Sequence, residues 1–204
     1  MMRGKIHTLI FDLGGVLVDW NPEYLFRKII PDEAERNYFL SEICSPDWNA
    51  KQDAGRPLAE ATSELVLQYP HYARQIASYY GRWTEMVGGP IQGTVEILEN
   101  LAQKNSFRLL ALTNWSQETF PYALENFDFL KHFEGILVSG HEKLIKPDPR
   151  IFELCIQRYS IENTAGVLFI DDNIANVEAA KRIGMQAVQF TSPEHLRKYL
   201  SLLT

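Results

Sequence analysis

The chain is short of cysteine, of clustered positive charge and of long apolar runs, and each shortage removes a class of function. Only Cys44 and Cys155 occur in 204 residues. Neither sits in a CxxC or Cys/His spacing, which excludes a disulfide framework and a zinc site and leaves two reduced, buried thiols. Twenty-six acidic side chains outnumber twenty basic ones, for a net charge of -6. No Lys/Arg block is available to track a phosphate backbone, so nucleic acid is not an expected partner. No stretch approaches the length of a membrane span, and the apolar part of MMRGKIHTLIFDLGG is too short for a signal-peptide core. A cytoplasmic protein, without a membrane partner and as a monomer or weak dimer, is the expectation. His7, His71, His132, His141 and His195 share no metal-binding or catalytic spacing, and there are no internal repeats or low-complexity tracts.

What is present is an alternation. Four apolar runs, IHTLIF (6–11), FRLLAL (107–112), GVLFI (166–170) and QAVQF (186–190), each end in polar or glycine punctuation and read as strands, with GILVS (135–139) as a weaker fifth. Helical periodicity lies between them: Val95, Leu98, Leu101 and Ala102; Ile151, Leu154, Cys155 and Ile156; then Val177, Ala180 and Ile183 before a C-terminal Gly184. Strand alternating with helix predicts an α/β fold, a doubly wound and mostly parallel sheet with a Rossmann-like core. The rhythm fails between about residues 18 and 90. Amphipathic, aromatic-rich segments at 24–30, 34–43, 58–69 and 72–87 predict an inserted helical domain with no convincing strand, closed by a Gly88-Gly89-Pro90 hinge. The expected division is therefore a core of residues 1–17 and 90–204 around a helical insert of residues 18–89.

In a parallel sheet the strand ends converge on one edge. Here those ends are Asp12, Thr113 with Asn114, and Asp171 with Asp172. Any single Asp after a strand is equally well explained as a turn former or helix cap. Together, however, three carboxylates repel one another unless a cation lies among them, and carboxylate plus carbonyl oxygens suit Mg²⁺. Gly14 and Gly15 let the backbone turn sharply after Asp12 and bring a carbonyl near such an ion. In LIKPDPRIF, Pro147 biases Lys146 toward extended backbone, Asp148 caps the next helix and Pro149 suits its first position, which holds Lys146 at a helix mouth.

FDLGGVL, ALTN, the Lys of IKPDP and FIDDNIANVEAA, in that order, resemble the four motifs of the haloacid dehalogenase superfamily, and the likeness spans residues 6–190. The insert after the first motif resembles the small helical cap of its phosphoglycolate phosphatase and phosphoglucomutase-like branch. The resemblance implies a Mg²⁺-dependent phosphatase for a small phosphorylated metabolite such as a sugar phosphate. Asp12 would be the nucleophile that forms an aspartyl-phosphate. Mg²⁺ would be held by Asp12, the Gly14 carbonyl, Asp171 and Asp172. Thr113, the amide of Asn114 and Lys146 would bind the phosphoryl group, and Asn176 would brace the acidic loop.

One departure matters. Phosphatases of this family commonly carry an Asp two places after the nucleophile, as acid for the leaving oxygen and then base for water; here that place is Gly14. Either the leaving group departs with little help, as members with DLG similar to glucose-1-phosphatase suggest, or water or another side chain serves. Two further readings stay open: a metal-independent 2-haloacid dehalogenase, whose halide needs no acid, and a phospho-ligand binding module without turnover. QDAGRPLAEA (52–61) resembles the cap's specificity loop, with Gly55 and Arg56 at its turn. Arg56 either reaches a substrate group or faces solvent. Trp20 and Trp48 either line the cleft or belong to the insert's core.

Overall fold

The computed structural model describes residues 5–202, so the first four and last two residues of the expected core division lie outside it. The chain runs through β1 (Thr8–Phe11), β2 (Val18–Trp20), α1 (Glu23–Ile29), α2 (Glu33–Tyr38), α3 (Pro46–Asp53), α4 (Leu58–Gln68), α5 (Ala73–Gly81) and β3 (Val87–Pro90). It continues through α6 (Gln92–Lys104), β4 (Arg108–Thr113), α7 (Phe120–Asn126), β5 (Gly135–Val138), α8 (Ser139–Glu142) and α9 (Pro149–Arg158). β6 (Val167–Asp171), α10 (Ile174–Arg182), β7 (Gln186–Gln189) and α11 (Pro193–Ser201) complete it.

Five strands form one parallel sheet in the order β5-β4-β1-β6-β7. The chain thus builds outward from β1 on one side, then crosses back and builds outward on the other, which leaves a crevice at the carboxyl end of the central strand. Side-chain alternation sorts the strands between two apolar layers. Leu9, Phe11, Leu109, Ala111, Leu168 and Ile170 join one layer, which is continuous with the buried residues of the inserted helices. Ile10, Leu110, Leu112, Phe169 and the Ile151, Phe152 and Cys155 face of α9 form the other. Both cysteines are buried and free. Gly184, at φ +91°, ends α10 as its sequence predicts.

The inserted segment corrects three expectations. Its two ends hold strands where none was expected: β2 and β3 pair antiparallel, and Gly88, Gly89 and Pro90 lie within β3. Two adjacent crossings satisfy each other's backbone groups, and strands of three and four residues, the second of them Val-Gly-Gly-Pro, are too short to show alternation. The predicted 34–43 helix changes at Phe39 from α2 into a π-helical turn, Phe39–Ile43, and the 72–87 helix stops at Gly81 before a 3₁₀ turn, Trp83–Met86. Helix α3 was not expected. Ser45 caps it by accepting from Trp48 N–H, and Pro46 starts it, but PDWNAKQD buries only Trp48 and Gln52 and so carries no helical apolar stripe.

Candidate active site

Asp12 follows directly on β1. Its N–H donates to Ile170 O at 2.8 Å, fixing it beside the end of β6, and its Oδ1 accepts from Leu13 N–H at 2.7 Å. The turn that follows explains one glycine and leaves the other unexplained by packing. Gly15 has φ +70°, and a Cβ there would lie 2.5 Å from Asp172 Oδ2, so only glycine fits. Apart from its chain neighbours, no heavy atom of the described residues lies within 4 Å of where a Gly14 Cβ would be. Its missing side chain leaves open space at the cavity wall.

Lys146 locks the strand ends together. Its side chain has no exposure, and Nζ reaches Asp12 Oδ2 at 2.9 Å, Asp171 Oδ2 at 2.7 Å and Leu112 O at 2.9 Å, which engages all three of its donors. The ring of Phe169 lies 5.5 Å beneath it. Burial alone would lower the lysine's pKa, but the carboxylates of Asp12 and Asp171 outweigh burial and raise it, so the ammonium stays charged. Its backbone is clamped as well: Asn114 Nδ2 donates to Lys146 O at 2.9 Å, and Lys146 N–H donates to Asn114 Oδ1 at 2.8 Å. The predicted cap is present, since Asp148 accepts from Arg150 N–H and Pro149 opens α9.

The paired acids of β6 differ from each other. Asp171 is fully buried, and besides Lys146 it accepts from Asn173 N–H at 2.8 Å and from Asn176 Nδ2 at 3.0 and 3.1 Å. Asp172 is exposed. One carboxylate oxygen from each of Asp12, Asp171 and Asp172 lies within 4.8 Å of the others. Three carboxylates against one ammonium leave negative charge in excess. Burial pushes the Asp12 carboxyl up to about 8, with Lys146 opposing and Asp171 and Asp172 adding to the rise. Burial and Asp171 likewise raise Asp172. A hard, oxygen-preferring divalent cation supplies the missing charge, so this donor set fits Mg²⁺.

Beside these groups lies a cavity of about 380 Å³. Asp12, Gly14, Gly15 and Asp172 line it from the sheet edge, Asn114, Trp115, Ser116 and Thr119 from the segment after β4, and Trp20, Asn49, Asp53, Tyr80 and Trp83 from the insert.

Residues 6–184 match the family of haloacid dehalogenase-like hydrolases. The chain belongs to that family. This hydrolase is 29% identical to the fructose-1-phosphate phosphatase YqaB of Escherichia coli over 199 residues, covering 92% of this chain and 97% of that one. It is 25% identical to the drimenol cyclase drtB of Aspergillus calidoustus over 198 residues, 96% of this chain, but spans only 36% of that protein's length. The solved HAD family enzyme bt-2542 of Bacteroides thetaiotaomicron, in complex with magnesium and inorganic phosphate, superposes with a TM-score of 0.70 at 21% identity, covering 92% of this chain and 95% of that one. No helix among the described residues is long and apolar enough to cross a membrane.

Within the hydrolase, Asp12, Lys146, Asp171 and Asn176 form one bonded group, Asp172 borders it, and Gly14 lines the adjoining cavity. Two expectations, for Arg56 and Gly55, need correction, and Asn114 gains a second role. The Asn114 side chain exchanges two hydrogen bonds with the Lys146 backbone and so also positions the lysine, while Asn114 itself lines the cavity. Arg56 is absent from the cavity lining and pairs with Glu60 at 3.6 Å and with Glu64 on α4. Gly55, at φ +90°, packs against Gly140 O of the core, where a Cβ would come within 2.8 Å. Thr113 is fully buried and outside the lining, with a hydroxyl that has no hydrogen-bond partner among the described residues. Trp20 lines the cavity, whereas Trp48 packs on Tyr79 and Tyr80 inside the insert. Sequence reasoning missed Asn49, Asp53, Tyr80 and Trp83. The only local signal was Asp53's position two residues before Gly55.

Proposed function

We propose that the chain is a Mg²⁺-dependent phosphatase for a small phosphorylated metabolite of the sugar-phosphate class, working through an aspartyl-phosphate. The observation that carries this reading is the buried contact of Asp12 with Lys146, set within 4.8 Å of the Asp171–Asp172 pair. A dehalogenase nucleophile has no need of such an acidic pair. The relative whose name states fructose-1-phosphate phosphatase activity, matched over 97% of its length, supports the substrate class.

On this reading Asp12, Asp171, Asp172 and the Gly14 carbonyl hold Mg²⁺, which when bound supplies charge neutralisation and a template for the phosphoryl oxygens. Asp12 presents an oxygen to phosphorus in line with the leaving group. Lys146 keeps that oxygen oriented and offsets phosphoryl charge. Asn114 fixes the lysine's backbone and Asn176 fixes Asp171. Residues 18–89 act as a cap over the core of residues 1–17 and 90–204, and the aromatic wall of Trp20, Tyr80 and Trp83 excludes water from the reacting centre.

The test is a screen of phosphorylated metabolites with purified protein, with Mg²⁺ and with EDTA. Phosphate release that requires Mg²⁺ and vanishes in Asp12→Asn is expected. Release that persists in that variant, or halide release from a 2-haloacid without phosphate release from any ester, overturns the reading.

A further inference from the structure

Resting on the phosphatase reading, we propose that Asp53, supplied by the inserted segment, is the general acid and base that position 14 lacks. Asp53 is the last residue of α3 and lines the same cavity as Asp12 and Gly14. Its carboxylate is aimed: Oδ2 accepts from Asn49 Nδ2 at 3.0 Å, and the Ser116 N–H also donates to it. Asn49 Oδ1 in turn accepts from Tyr80 O–H at 2.9 Å. The backbone around it is docked on the core at three points. Ser139 Oγ donates to Asp53 O at 2.6 Å, Gly55 abuts Gly140 O, and Leu58 N–H donates to Glu118 Oε1 at 2.8 Å. Asp53 therefore joins the cavity only while the insert is seated.

This carboxyl is poorly placed for stability alone. It stands at a helix C-terminus, where the helix dipole disfavours negative charge, and it has no salt-bridge partner among the described residues. Burial pushes its carboxyl up to about 7, against the pull of the Ser116 N–H and Lys146. A carboxyl that exchanges its proton near neutrality, in a cavity shared with the nucleophile, is what leaving-group chemistry requires. Position 14 offers no competing group, and its open space shows that an Asp there was not excluded by crowding.

The steps balance. As Asp12 Oδ bonds to phosphorus and the P–O bond to the alcohol breaks, protonated Asp53 gives its proton to the departing oxygen, producing the free alcohol and an Asp53 carboxylate. A water then bonds to phosphorus and gives a proton to Asp53, while the P–O bond to Asp12 breaks. Inorganic phosphate leaves, with Asp12 ionised and Asp53 protonated again.

The experiment compares leaving groups in Asp53→Asn, which can still accept from the Ser116 N–H, using a hexose 6-phosphate and p-nitrophenyl phosphate in saturating Mg²⁺. Turnover of the alkyl ester is expected to fall about 10² to 10⁴-fold, while the first-turnover burst of nitrophenol changes less than about threefold, because that leaving group needs no proton. Asp53→Glu, or Gly14→Asp added to Asp53→Asn, is expected to restore at least about tenfold of the lost alkyl-ester turnover. Equal slowing of both first turnovers means Asp53 only seats the insert, and overturns the proposal. If Asp53→Asn does not fold, Gly14→Asp alone decides. A gain under about threefold on the alkyl ester supports an acid already in place, and a gain of about 10² or more overturns it. Wild-type protein that cleaves neither ester removes the phosphatase reading itself, a result distinct from equal slowing.

Discussion

On the sheet side of the cavity, Lys146 engages every donor it has, Asp171 accepts from three different residues, and both side chains are sealed from water. On the helical side the wall is a short chain of contacts, Tyr80 to Asn49 to Asp53, between the surfaces of Trp20 and Trp83. The first wall is a closed network in a low-dielectric interior, where each group is held by several others and none can move alone. The second is anchored at few points and is mostly ring surface. The difference suits a division of labour in which the sheet edge fixes the reacting atoms and the insert shapes what enters and, on our proposal, delivers the proton.

The comparison breaks most severely if the sheet side is less tightly coupled than its geometry indicates. Lys146→Met strands Asp12 and Asp171 as buried charges without a counter-ion. It is expected to cost about 3–5 kcal/mol in denaturant unfolding in Mg²⁺-free buffer and, assayed separately with saturating Mg²⁺, to abolish phosphate release. An unfolding midpoint like that of the wild type would mean the network is not locked.

A smaller effect sharpens the other wall. Asp53 titrates at about 7 in the fold against 3.8 ordinarily, so between those pH values the native state keeps a proton that the unfolded chain has released. Native protein then binds more protons than unfolded protein, and stability falls as pH rises through that window. Asp53→Asn cannot lose this proton. In saturating Mg²⁺, its stability relative to wild type is expected to climb from pH 4 to pH 7 by on the order of 2 kcal/mol, after discounting for the cavity's access to solvent. A constant difference across that range would place Asp53 in an ordinary carboxylate environment.

The smallest effect belongs to Arg56. Its partners Glu60 and Glu64 are 55% and 53% exposed, so Arg56→Ala is expected to cost less than about 1 kcal/mol and to leave KM within about twofold. A large rise in KM would return the arginine to the cavity wall, against its observed pairing.

Legibility followed the same divide. All five strands of the parallel sheet were readable because each is a compact apolar run with a polar end; Asp12, Asp171 and Asp172 were readable as the residues at those ends, Lys146 from the capped helix start that follows it, and Asn176 from the family resemblance. Helix α3 was not readable. Its start signal, Ser45-Pro46, was visible, but with only Trp48 and Gln52 buried it has no periodic face. The β2–β3 ribbon was hidden because β2 is only three residues long and the Gly-Gly-Pro of β3 reads as a turn. Arg56 stood out by its charge, yet its neighbours one and two helical turns along captured it, while Asp53, three places earlier, was the residue that met the cavity.

The amino-acid sequence by itself determined the parallel α/β core, the acidic edge around Asp12 and the capped helix that presents Lys146, because strand alternation, helix capping and the residue after a strand are all local matters. Only the tertiary structure decided that Asp53 shares a cavity with Gly14, that Asn114 serves the lysine backbone, and that Arg56 turns away. Those outcomes depend on how a helical insert seats on a distant sheet edge, through contacts such as Ser139 Oγ to Asp53 O that join residues far apart in the chain. No short-range pattern encodes such a distance.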